Sequence, residues 1–130
     1  MTELSKLTIA GARDALRKGE TSSAEITADC LSAISGADAL GAFVHHTPDI
    51  AKQQAAAADA RIKAGDAPDM CGIPLGIKDL FCTRGVPSQA ASRILSGFRP
   101  EYESTVTTRL WLMRWISSRR SWGSWRIREP

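Results

Sequence analysis

Lys78 ends the run Cys71-Gly72-Ile73-Pro74-Leu75-Gly76-Ile77-Lys78, followed by Asp79-Leu80-Phe81, and its amine is the group in this chain best placed for chemistry. Ile73, Leu75 and Ile77 alternate with Pro74 and Gly76, a period of two that predicts a strand with one buried face. Gly72 and Gly76 let another backbone or a ligand come close. A lysine at a strand end sits where α/β sheets commonly carry their chemistry. It acts as a base only when its amine is neutral, a form favoured by desolvation and disfavoured by a nearby carboxylate. The plain alternative is a surface pair between Lys78 and Asp79. Neighbours on a strand point to opposite faces, so adjacency in sequence need not mean contact.

The other reactive side chains offer less. Cys30, Cys71 and Cys82 are odd in number and form no CxxC pair, so they read as packing residues, although two of them flank the lysine segment. His45 and His46 are the only histidines; adjacent residues face opposite ways on a strand, and no metal site can be assembled from them.

The elements that must position Lys78 follow from local signals. A first helix over residues 9–18 is capped by Thr8 and ended by Gly19. Ser22 and Glu25 form a capping box, and Ile26, Cys30, Leu31 and Ile34 give the second helix an apolar stripe up to Gly36. Residues 42–45 read as a short strand. Thr47 caps a third helix with Pro48 at its first position, which runs through the alanines to about Ala64 before Gly65 closes it. The loop 66–69 leads to the lysine strand, and Gly85 and Pro87 mark a turn over 83–88. Residues 88–96 are a short helix or irregular, with Arg93 solvated. Glu103 or Ser104 caps a last helix over 105–110. Helices interleaved with strands in this order predict an α/β protein.

Composition is ordinary for a globular chain of 130 residues, and nothing approaches the run of about 18 apolar residues that crosses a membrane. The N-terminus lacks the basic-then-apolar pattern of a secretory leader, so the expected location is cytoplasmic.

The segment GIPLGIKDLF resembles the amidase signature family. It continues through Cys82-Thr83, Gly85-Val86-Pro87, Ala90-Ala91-Ser92, Ile94-Leu95, Gly97-Phe98, Pro100 and Tyr102-Glu103-Ser104-Thr105-Val106-Thr107 in the manner of that family's tRNA-dependent amidotransferase members. The likeness covers roughly residues 4–110. It implies the N-terminal part of an amidase signature fold, a mixed β-sheet covered by helices on both sides. It further implies a serine–serine–lysine triad that cleaves an amide through an acyl-enzyme, with Lys78 as the lysine and general base. Glutamine would be the ammonia source, and the product would be Gln-tRNA(Gln) or Asn-tRNA(Asn). Amidotransferase subunits B and C and the charged tRNA are the implied partners. ATP and Mg²⁺ are implied at the partner's site, with no cofactor or metal held by this chain. The family's two serines lie in a Gly- and Ser-rich segment that has no counterpart here; Ser88, Ser92, Ser96 and Ser104 lack that context.

After Leu110 the likeness ends. Residues 1–110 contain no tryptophan and carry a net charge of −1, whereas residues 111–130 hold Trp111, Trp115, Trp122 and Trp125, five arginines and one acid. The expectation is a first unit over 1–110 followed by a frameshifted tail over 111–130. Trp111-Leu112-Met113-Arg114 written TGG-CTG-ATG-CGG reads Ala-Asp-Ala when shifted by two bases, which is similar to the family's continuation. On that expectation the chain is truncated, inactive and poorly stable. Two alternatives stay open: a fragment of a general amidase, and a non-enzymatic module whose Arg/Trp tail binds RNA or acidic membranes.

Overall fold

The structure, a computed structural model, describes residues 4–112. Three helices come first. Helix α1 (Ile9–Lys18) starts at Thr8, whose Oγ1 accepts the Gly11 N–H at 3.0 Å. It stops at Gly19, whose φ of 70° turns the chain left-handed. Helix α2 (Ser23–Gly36) carries the full capping box: Ser22 Oγ accepts the Glu25 N–H at 3.1 Å, and Glu25 Oε2 accepts the Ser22 N–H at 2.8 Å. Of its expected stripe, Ile26 is buried and Cys30, Leu31 and Ile34 are half-buried. Helix α3 (Pro48–Lys63) has Pro48 at its first position, but Thr47 makes no side-chain cap bond. Its backbone, at φ −124° and ψ 60°, leaves the extended conformation that aims a capping oxygen at the helix.

Helices α2 and α3 pack along each other, with Ala55 and Ala58 buried. The small side chains let the two backbones approach, as the alanine run suggests. The core is compact: Ala12, Leu16 and Ile26, flanked by Leu4, Leu7, Cys30, Ile62 and Ile73.

Among the described residues there is no strand, which corrects two expectations. Residues 42–45 are irregular and exposed. Residues 73–77 follow no regular ladder, and Leu75 and Ile77 are exposed. Alternation marks a chain able to pair, but a strand exists only where a second backbone completes the ladder. No such partner is present among the described residues.

Beyond Lys78 the chain forms a looped arm. The turn at 83–86 closes through the Val86 N–H to the Thr83 carbonyl at 3.0 Å, with Gly85 at φ 74°. Three backbone hydrogen bonds then tie the two sides of the arm together: Gly85 to Pro100 at 2.9 Å, Ser88 to Phe98 at 3.1 Å and Ser104 to Cys82 at 2.8 Å. Its tip holds a single 3-10 turn, Arg93–Leu95, on which Arg93 is exposed as expected. Helix α4 (Thr105–Leu112) opens at Ser104, whose Oγ accepts the Thr107 N–H at 3.1 Å. Of the two candidate caps, Ser104 fills the role, and the helix runs past Leu110. Most of the expected tail, residues 113–130, lies outside the described residues. No helix among those described is long and apolar enough to cross a membrane.

Candidate active site

The segment that delivers Lys78 is rooted in the helical core through Cys71, Gly72 and Ile73 and is exposed from Leu75 to Lys78. At its root, Cys71 is buried and Gly72 has a φ of 87°. A Cβ on Gly72 would lie 3.2 Å from Leu16 Cδ1, Ser23 Cβ and Ile62 Cδ1, one atom from each of the first three helices. The close approach expected of the two glycines therefore occurs at Gly72. Gly76 has only an ordinary contact, 3.7 Å from a built Cβ to Phe43.

From Leu75 to Lys78 no backbone N–H finds an acceptor among the described residues. Lys78 itself is exposed and opens a turn in which its carbonyl accepts the Phe81 N–H at 2.9 Å. Its amine forms no ion pair among the described residues, so the surface pair with Asp79 is absent. Asp79 is used otherwise: its Oδ1 accepts the Gln89 N–H at 3.0 Å, fastening the lysine turn to the arm.

Beside this segment lies an open cleft of about 230 Å³ between α2, α3 and the chain from Met70 to Ile77. Its lining is mostly apolar, with Ser23, Thr27, Thr47, Gln54, Thr83 and Thr107 as polar exceptions, and Lys78 stands outside it. No group of three His, Cys, Asp or Glu side chains comes together among the described residues.

The serines near Lys78 in sequence have other tasks. Ser92 Oγ accepts the Ile94 N–H at 3.3 Å, and Ser104 caps α4 with its Oγ 2.7 Å from Thr107 Oγ1. Ser88 is buried, its hydroxyl 3.5 Å from the Val86 carbonyl. No hydrogen bond joins any of them to the Lys78 amine. The cysteines behave as packing residues. Burial, then the charge of Asp29, pushes the Cys30 thiol up. The Cys82 thiol donates to the Tyr102 hydroxyl at 3.6 Å, and this contact is the main cause that raises the phenol above its ordinary value.

Two polar residues went unmarked in the sequence. Asp59, on α3, accepts the N–H groups of Ser23 at 2.7 Å and Ala24 at 3.1 Å, and Ser23 Oγ donates to the Gly72 carbonyl at 2.8 Å. Both links span more than thirty residues, and no local pattern announces them.

The sequence profile of the family described as Amidase matches residues 25–112, more than half of the chain. The chain belongs to the amidase family. It is 73% identical over 110 residues to the A subunit of the glutamyl-tRNA(Gln) amidotransferase from Jannaschia sp. (strain CCS1). It is 71% identical over 110 residues to the protein of the same description from Dinoroseobacter shibae (strain DSM 16493 / NCIMB 14021 / DFL 12), and 67% identical over 110 residues to that from Ruegeria sp. (strain TM1040). Each match covers 85% of this chain and 22% of the relative, so this amidase chain spans about a fifth of the length of those curated relatives. The matched residues include the whole lysine segment and Ile62 of its helical root, whereas Leu16 and Ser23 precede them.

Proposed function

We propose that this chain carries the lysine-bearing portion of a glutamine amidase, the A subunit of a tRNA-dependent amidotransferase. The observation that supports this most directly is the identity of 73% over 110 residues to the Jannaschia glutamyl-tRNA(Gln) amidotransferase protein. In this reading Lys78 is the general base. It takes a proton, through a bridging serine, from the serine that attacks the glutamine amide, and the ammonia released converts Glu-tRNA(Gln) or Asp-tRNA(Asn) to its amide.

The geometry defines what such a base still requires. An amine surrounded by water holds its proton, so catalysis needs the solvent around Lys78 displaced and a hydroxyl brought to it. Neither is supplied among the described residues, where Lys78 is exposed and the hydroxyls of Ser92 and Ser104 serve local backbone turns. We assign both tasks to the remainder of an amidase domain, whose mixed sheet would take segment 73–77 as a strand and cover the apolar cleft. Amidotransferase subunits B and C and the charged tRNA are the proposed partners, in the cytoplasm. In this reading ATP and Mg²⁺ belong to the partner's site.

The test is a chimera joining residues 1–110 of this chain to the downstream part of the Jannaschia protein, assembled with that organism's partner subunits. It is expected to hydrolyse glutamine, and Lys78→Ala is expected to lower kcat by about 10³-fold. Undiminished hydrolysis by the variant would refute the role of Lys78. Turnover of other small amides with none of glutamine would replace the tRNA-dependent reading by that of a general amidase. The 130-residue chain alone is expected to release no ammonia, since no serine among the described residues is placed against its lysine.

A further inference from the structure

We infer that Ser23, held in place by Asp59, is a positioning residue for Lys78; this rests on the reading of Lys78 as the base. The first N–H groups of a helix have no partner within it. At α2 they are all taken: those of Ser23 and Ala24 by the two oxygens of Asp59, at 2.7 and 3.1 Å, and that of Glu25 by Ser22 Oγ at 3.1 Å. The Ser23 hydroxyl is thereby released from capping. Only 2% exposed, it donates instead to the Gly72 carbonyl at 2.8 Å, across 49 positions of sequence.

That bond fixes the root of the lysine segment. Among the described residues, the chain between Gly72 and Lys78 has no further tether by backbone N–H apart from a 3.4 Å contact of Ile73 with the Met70 carbonyl. Its position is set at one end by Ser23, by the crowding of Gly72 among three helices and by Ile73 against the core, and at the other by Asp79 on Gln89. Six residues span at most about 20 Å, and the backbone N–H groups from Leu75 to Lys78 find no acceptor among the described residues, so a shift at Gly72 is passed along the segment toward the turn that carries the amine. A shift of about 1 Å in a reacting group can cost about 10²-fold in rate. Asp59 orients α2, α2 presents the hydroxyl, and the hydroxyl sets where the lysine segment begins.

The same chimera tests this. Ser23→Ala removes one oxygen and leaves the caps of α2 intact; its kcat for glutamine is expected to fall about tenfold with KM unchanged. Ser23→Cys, which keeps the volume but offers only a weak donor, should fall in the same direction and guards against a folding defect in the alanine variant. Ile26→Val, a core truncation on the same helix, serves as the comparison: it should lower the melting temperature at least as much and leave kcat in place. The inference is overturned if both Ser23 variants keep the parent kcat, or if Ile26→Val depresses kcat to the same extent. Lys78→Ala separates the two readings. Full activity there defeats the assignment of the base, whereas loss there with silent Ser23 variants defeats only the positioning role.

Discussion

At Gly72 a side chain has no room: the φ of 87° is left-handed, and a Cβ would press against Leu16, Ser23 and Ile62 at 3.2 Å each. Gly72→Ala is therefore expected to destabilise the chain by about 2 kcal/mol, through backbone strain together with overpacking of three helices that cannot all retreat. Denaturant titration of the chimera followed by circular dichroism measures this, and an unchanged midpoint would show that the helices yield at little cost. The same residue-scale logic separates Gly72 from Gly76, where Phe43 stands at ordinary contact distance and Ala should be tolerated. Lys78 is the contrasting case. Its neighbours fix where its backbone lies, but nothing described encloses its amine.

Helix α2 depends on its first turn. Glu25 accepts the Ser22 N–H and hydroxyl and the Thr21 hydroxyl, and the backbone bond is the leading cause that holds its carboxyl below the ordinary value of 4.5. A carboxyl depressed in the folded state stabilises it above the unfolded value, and that contribution fades as pH falls through the folded one. The stability of the chain should therefore decline as pH drops below about 4.5. Glu25→Gln, which keeps the acceptor but not the charge, should flatten that part of the profile. Urea midpoints of the chimera between about pH 6 and pH 3 decide the matter; equal slopes with and without Glu25→Gln would refute it. Because Asp59 caps the same terminus from α3, loss of the box should loosen the α2–α3 pair rather than a single helix.

Over the whole molecule, buried apolar mass is small against what is left in water. The core proper is Ala12, Leu16 and Ile26, while Leu40, Phe43, Val44, Leu75, Ile77 and Leu80 are all more than 40% exposed. Each large apolar side chain left exposed forgoes about 1.5–3 kcal/mol, and whole domains are stable by only about 5–15 kcal/mol. The 130-residue chain is expected to bind a hydrophobic dye, to self-associate at micromolar concentration and to melt without a sharp transition. A monomer that melts cooperatively and leaves the dye dark would contradict this. In the chimera, the same side chains should become protected from solvent.

The helices were legible in the sequence because their signals act within a few residues: Thr8 reaches Gly11, Ser22 and Glu25 reach each other, and Gly19 turns the chain where α1 stops. The lysine motif was legible for a similar reason, since its residues are contiguous and carry the family likeness unaided. Thr47 and the two expected strands were not, because cap geometry and β-pairing depend on backbone angles and partners that a pattern of residue types does not contain. The link from Asp59 through Ser23 to Gly72 lay further still from view. It joins residues 36 and 49 positions apart, and only packing three helices around one glycine brought them within hydrogen-bonding distance. Sequence determined which short elements form and which amine they carry; tertiary structure decided what anchors that amine, because contact between distant residues is set by burial and close packing rather than by spacing along the chain.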